Sequence, residues 1–300
     1  MFKKIFTTML FVFTSSFTQT SSPKGNYASV NGLKMYYEIH LPDVQAGGDN
    51  SGTPPLILIH GGGSTITTTF GTILPMLAKH RIIVAVELQG HGHTSDRNSP
   101  ESFEQDADDV ATLLQTLAIT QADFLGFSNG GNTAIQIAVR HSEIVHKLIL
   151  ASTFYKREGL IPGFFDGMKQ ASLAVMPQLL KDAFLQINPD TNKLLAMFNK
   201  DKERMLRFKD WREETMSSIK APTFIINGDR DVILADHALA MSKLISNSRL
   251  MILPAQHGSY IGVAENPNPE KHMIELTVPM IEEFLDAPMP VEDSTRREKK

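Results

Sequence analysis

Six short apolar runs constrain this chain more than any other feature: "LILIH" (56–60), "IIVAVE" (82–87), "DFLGF" (123–127), "KLILAS" (147–152), "PTFIING" (222–228) and "RLMILP" (249–254). Each is nearly continuous in apolar character and several are rich in β-branched residues, the composition of strands covered on both faces of a parallel sheet. Helical patterns alternate with them. Ser102 to Leu117 carries acidic residues early and Val110, Leu113, Leu114 and Leu117 at helical spacing; Asn132 to His141 and about Pro269 to Leu285 read the same way. Such alternation predicts an α/β fold, a doubly wound and mostly parallel sheet with right-handed crossovers. Upstream, "ASVNGLKMYYEIH" reads as two strands joined at Asn31-Gly32, a strong hairpin signal.

One stretch breaks the alternation. From Phe154 to Ser218 no strand is evident, only helix-like pieces rich in Met, Phe, Leu and Lys, punctuated by Pro162, Gly163, Pro177 and Pro189. Some sixty residues is far longer than the usual crossover of about a dozen, so the stretch is expected to be a helical cap inserted over the ends of the sheet. The predicted organisation is therefore a core of residues 25–153 and 219–287, a cap of residues 154–218 and a charged tail of residues 288–300. Phe154, Phe164, Phe165, Met168, Met176 and Met197 are either apolar pocket walls or the cap's own core.

Residues 1–20 differ from the rest. Lys3 and Lys4 precede "IFTTMLFVFTSSF", which is short for a spanning helix of about 20 apolar residues and rich in Thr and Ser. A cleaved signal peptide is expected, placing the mature protein outside the cell or in a periplasm with no stable membrane span. The 300-residue chain has no cysteine, which excludes a thiol nucleophile, a thiolate metal site and disulfides. Its net charge of −4 and the lack of any basic stripe on a predicted helix exclude a nucleic-acid footprint.

The chemistry centres on "GFSNGG", residues 126–131. A strand ending in G-x-S-x-G that runs straight into a helix presents its serine on a strained turn, with glycines where backbones crowd. Ser128 is the candidate nucleophile. A serine needs a base within hydrogen-bond reach and a third group to orient that base. Among ten histidines, His257 in "LPAQHGSY" follows a strand and precedes the last helix, where a loop at the sheet's carboxyl edge carries it back over Ser128. His40, His80, His141, His146, His237 and His272 lie at element ends or on helix faces, and His60 is expected to brace its own loop. In "IINGDRDVIL", Asp231 is the candidate orienting carboxylate and Asp229 a turn former. The loop "HGGGS" after "LILI" offers backbone amides for a developing oxyanion, from Gly62 or less favourably Gly63, paired with the amide of Asn129. No G-K-[ST] follows it, so it is no phosphate loop.

Together these motifs make the chain similar to the α/β-hydrolase superfamily from Ala28 to Leu285. The order Ser128, Asp231, His257 is the one that family uses. "VELQGHGHTSD" resembles the family's segment after the fourth strand, with Glu87 and Thr94 where Asp and Ser are commoner, and His91 and His93 there are expected to be loop structure. The resemblance is nearest to the capped serine esterase and lactonase branch. It implies a serine hydrolase acting on a small carboxylic ester or lactone through an acyl-enzyme, with no metal or organic cofactor. Alternatives are a carbon-carbon bond hydrolase, a proline iminopeptidase-like peptidase with the same triad, and a non-catalytic ligand-binding protein.

Overall fold

The computed structural model describes residues 25–42, 53–266 and 271–290; the expected signal segment and most of the charged tail lie outside them. Eight strands form one sheet in the order β1-β2-β4-β3-β5-β6-β7-β8: β1 Asn26–Val30, β2 Leu33–His40, β3 Leu56–Ile59, β4 Ile83–Val86, β5 Ala122–Phe127, β6 Val145–Ala151, β7 Thr223–Gly228 and β8 Ser248–Leu253. β1 and β2 form an antiparallel hairpin, and β2 pairs antiparallel with β4. Both turn residues, Asn31 and Gly32, have positive φ (44° and 83°), the geometry that matches the twist of a two-residue hairpin. All remaining pairings are parallel.

In β3 to β7 the continuous apolar runs are explained by burial on both faces, whereas the edge strand β8 is only partly buried and leaves Ile252 exposed. In β3, Ile57 and Ile59 join one core while Leu56 and Leu58 join the other; in β5, Phe124 faces the first and Leu125 and Phe127 the second. Helices α1 Ile66–Phe70 and α2 Leu74–Leu77 contribute to the second layer, and α3 Phe103–Thr116 and α4 Asn129–Arg140 to the first. Each such side chain taken fully out of water contributes roughly 1.5–3 kcal/mol. Ser102 accepts from the Gln105 amide and caps α3.

Between β6 and β7 lie only helices: α5 Phe164–Gln170, α6 Gln178–Ile187, α7 Thr191–Arg207 and α8 Glu213–Ser217, with short 3₁₀ turns. Part of this segment has its own small core of Met176, Leu180, Phe184, Leu194 and Met197. Phe154, Leu160, Met205 and Phe208 pack instead against Phe103 and Ile233, joining it to the sheet domain. The sheet is completed by α9 Ala235–Leu244 and α10 Lys271–Asp286. No helix among the described residues is long and apolar enough to cross a membrane.

One boundary departs from the sequence reading. The pattern from Asn132 to His141 belongs to a helix that begins three residues earlier, at Asn129. Glycines 130 and 131 disfavour helix in isolation. Here they are demanded by packing: a Cβ at Gly130 would stand 2.2 Å from the Ile59 carbonyl oxygen, so only glycine lets the first turn of α4 cross β3.

Candidate active site

β5 ends at Phe127 and α4 begins at Asn129, leaving Ser128 alone at the junction with φ 52° and ψ −122°. That conformation is strained for a residue with a side chain and persists because its surroundings enforce it. A Cβ at Gly126 would lie 2.3 Å from the Gly130 carbonyl oxygen, so the elbow closes only around glycines. The Ser128 amide donates to the Ala151 carbonyl at 2.9 Å, tying the junction to β6.

Two parallel strands further along the sheet, the loops after β7 and β8 bring the other residues to the same edge. His257 Nε2 lies 3.1 Å from Ser128 Oγ, and His257 Nδ1 lies 2.7 Å from Asp231 Oδ1. With Nδ1–H donating to the carboxylate, Nε2 is left to accept the serine proton. Burial disfavours the imidazolium, but the Asp231 charge and hydrogen bond outweigh it, so the His257 pKa is raised. Burial likewise opposes the Asp231 charge, yet His257, Ser152 and the Ile233 amide hold its pKa below the usual value.

The carboxylate has partners that the sequence did not announce. Ser152 Oγ donates to Asp231 Oδ2 at 2.5 Å, and the Ile233 amide donates to Oδ1 at 3.0 Å. The Tyr260 hydroxyl lies 2.7 Å from Ser152 Oγ. Ser152 and Tyr260 are wholly buried, and Ser152 has φ 49°. The available signal was positional: Ser152 directly follows β6, the strand next to β5, and Tyr260 follows His257 by three residues. Asp229 does not reach His257; its Oδ1 accepts from the Ala255 amide at 2.9 Å and so braces the loop that carries the histidine.

The glycine loop is held from below by His60, whose Nδ1 donates to the Gly61 carbonyl at 2.7 Å while its Nε2 accepts from the Leu88 amide at 3.0 Å. This bonding fixes a neutral imidazole; burial, reinforced by the charge of His91, lowers its pKa to about 3. Gly62 and Gly63 differ in what their amides do. The Gly63 amide donates to Asp201 Oδ2 at 2.5 Å. Those of Gly62 and Asn129 have no acceptor among the described residues, as expected for a loop tip and for the first residue of a helix. In the neighbouring segment, Glu87 accepts from the His93 backbone amide at 2.6 Å and from its Nδ1 at 2.9 Å, so the substituted acid holds that loop together.

Ser128, Asn129, Gly62, Gly63 and His257 open on a cavity of about 330 Å³. Its walls are mainly apolar, and Phe154, Phe164, Met168 and Met176 are among them. Phe165 and Met197 are not: Phe165 lies under the Arg157 guanidinium and Met197 sits in the cap's own core. Asp201 and Lys202 are the ionic side chains of the cap on this wall.

Comparison with known proteins agrees with this architecture. A family model for the alpha/beta hydrolase fold matches residues 54–177. The chain is 26% identical over 221 residues to 2-hydroxymuconate semialdehyde hydrolase of Pseudomonas sp. (strain CF600), covering 66% of this chain and 78% of the relative. It is 25% identical over 255 residues to human Serine hydrolase BPHL, covering 80% and 82%. The enol-lactonase structure from Burkholderia xenovorans LB400 superposes with a TM-score of 0.66 at 22% identity, over 87% of this chain and 100% of that one. An eight-stranded, mostly parallel sheet with a serine on a strand-to-helix elbow is the architecture of the α/β-hydrolase fold, the fold whose family model matches this chain.

Proposed function

We propose that the protein is a serine hydrolase that cleaves a small, uncharged carboxylic ester or lactone through an acyl-enzyme. The observation that carries this reading is the hydrogen-bonded chain Asp231–His257–Ser128, with links of 2.7 and 3.1 Å, opening on a mainly apolar cavity. Ser128 Oγ attacks the carbonyl carbon while its proton passes to His257 Nε2, and Asp231 holds the imidazolium that forms. The negative charge on the substrate oxygen is received by the amides of Gly62 and Asn129. His257 then gives the proton to the departing alkoxide. Water attacks the acyl-enzyme by the same route in reverse, releasing the acid and restoring Ser128.

One relative is named 2-hydroxymuconate semialdehyde hydrolase and another 2-hydroxy-6-oxo-2,4-heptadienoate hydrolase, and the same apparatus serves carbon-carbon bond hydrolysis of a dienoate. A dienoate carries a carboxylate that calls for a cation in the pocket. The Lys202 ammonium is directed to the carbonyls of Lys169 and Ala171 at 3.0 and 2.7 Å, and Asp201 stands beside the glycine loop, which favours an uncharged substrate. We also infer export, from the sequence of residues 1–20, which N-terminal sequencing of protein recovered outside the cytoplasm tests.

A deciding assay offers the purified protein aryl esters of increasing acyl length, a γ-lactone and a 2-hydroxy-6-oxo-dienoate. Hydrolysis of the esters or lactone with a pre-steady-state burst is expected. Dienoate cleavage with the esters and lactone untouched would reassign the reaction, and failure of a fluorophosphonate to label Ser128 would leave a binding protein.

A further inference from the structure

Cap helix α7 sends one charged side chain into the heart of the catalytic edge. Asp201 is buried, and its Oδ2 accepts from the Gly63 amide at 2.5 Å and from His91 Nε2–H at 3.0 Å. Its other oxygen pairs with Arg204 one turn later on the same helix. Arg204 in turn donates to Asp106 at 2.7 Å and stands 3.7 Å from Glu101, both at the start of α3 or just before it. His91 is fixed at its far nitrogen as well, Nδ1 donating to the Gln89 carbonyl at 2.8 Å. A carboxylate removed from water beside a site that must bind an oxyanion is costly unless cations balance it. Arg204 and the protonated His91 supply that balance.

The position of this carboxylate matters because of what Gly63 adjoins. Gly63 has φ 65°, and its neighbour Gly62 lies so close to the elbow that a Cβ there would be 2.4 Å from Asn129 Nδ2 and 3.2 Å from Asp201 Oδ2. The loop thus has two successive amides near the reacting centre. Asp201 takes the second and leaves the first. From this juxtaposition we propose that Asp201 is a positioning residue, by which the cap holds the 61–64 loop so that the Gly62 amide, together with that of Asn129, faces the substrate oxygen. The inference rests on the serine-hydrolase reading above, since it presumes an oxyanion to be bound. It adds that the cap completes the oxyanion hole besides walling the pocket.

Because an indirect loss of alignment should cost less than removal of a donor, which is about 10²–10³, Asp201→Ala is expected to slow the reaction by about 10- to 100-fold. The measurement is the second-order rate of Ser128 labelling by a fluorophosphonate, which uses the nucleophile and the hole without needing the natural substrate. On an ester substrate the loss should fall in kcat, with KM changed less than about threefold, as expected when alignment in the transition state is lost and ground-state binding is kept. Asp201→Ser, whose hydroxyl is too short to span to Gly63, repeats the comparison should the alanine variant fail to fold. Leu194→Ala serves as control: it weakens the same helix in the cap's own core without touching the loop, and is expected to label at the wild-type rate within about threefold.

Wild-type labelling rates in the folded Asp201 variants would overturn the proposal, as would a loss confined to KM or an equal loss in Leu194→Ala. If the wild type itself is not labelled, it is the reading of Ser128 as nucleophile that fails, a separate result.

Discussion

Two histidine–aspartate pairs flank the glycine loop and the elbow, and they are chemically alike but have opposite parts in the proposed hydrolase. His257 meets Asp231 at 2.7 Å and His91 meets Asp201 at 3.0 Å. Both imidazoles have pKa values raised: burial opposes the charge in each, and the neighbouring carboxylate overcomes it, carrying His91 to about 9. The difference lies at the second nitrogen. His257 turns Nε2 to Ser128 and is 25% exposed to the cavity, whereas His91 has Nδ1 tied to the Gln89 carbonyl and is 1% exposed. A carboxylate partner therefore does not make a histidine a base; a free second nitrogen beside an acidic proton does. The His91 pair is a fixed ionic brace with Arg204 as its third member.

The largest effect is expected at Ser128, the proposed nucleophile. Ser128→Ala is expected to lower kcat by about 10⁶, the scale found when the nucleophile of such a triad is removed. Residual ester hydrolysis within tenfold of wild type, measured on protein free of contaminating esterase, would break the contrast at its root. Asp231→Asn comes next, with a loss of about 10⁴, because the amide favours the wrong imidazole tautomer. If turnover fell as far with His91→Gln, the two pairs would not be functionally distinct.

A third measurement separates the pairs by pH. The groups that face His257 are Asp231, Glu265, Ser128 and the Phe127 ring. Since its pKa is raised and the neutral form is the base, kcat/KM should fall on acidification with a midpoint above the ordinary imidazole value of about 6.5. His91→Gln should leave that midpoint in place. An acid limb that moves with His91 would assign the titration to the wrong pair.

How far these features were legible follows from the same contrast. The strands β3 to β7 announced themselves because burial on both faces leaves continuous apolar runs, and Ser128, Asp231 and His257 stood out because each sits just after a strand, where the sheet's carboxyl edge gathers loops. The Asp201 and Arg204 pair did not. "NKDKERMLR" looks like the solvated face of an amphipathic helix, and nothing local shows that positions three apart turn inward. Their partners were equally disguised, since Asp106 at the start of α3 satisfies the ordinary preference for acids at a helix N-terminus. Separations of 98 residues between Arg204 and Asp106 and 138 between Asp201 and Gly63 carry no local signature. Ser152 was missed because a serine just past an apolar strand has many dull readings.

The smallest expected effect probes the brace through stability. Glu101 is buried, its carboxyl oxygens find no hydrogen-bond partner among the described residues, and Arg204 stays 3.7 Å away. Burial raises its pKa from 4.5 to about 8 against the pull of Arg204, with Asp201 adding to the rise. In that window the folded protein holds a proton on Glu101 that the unfolded chain has lost, so stability declines as pH rises from about 4.5 towards 8 and is fully present below it. Asp106, raised from 3.8 to about 6 chiefly by burial, contributes the same sign over a lower range. Glu101→Gln keeps the shape and removes the titration. Differential scanning calorimetry should then show the fall in Tm between pH 6 and 8.5 reduced by about 2–4 °C, the shift that roughly 1 kcal/mol produces in a domain of this size. The acid limb of kcat/KM should not move, because Glu101 belongs to the brace and His257 is the proposed base. An unchanged Tm slope would mean that Glu101 is ionised in the folded state, and the Arg204 cluster would then be a fully charged network.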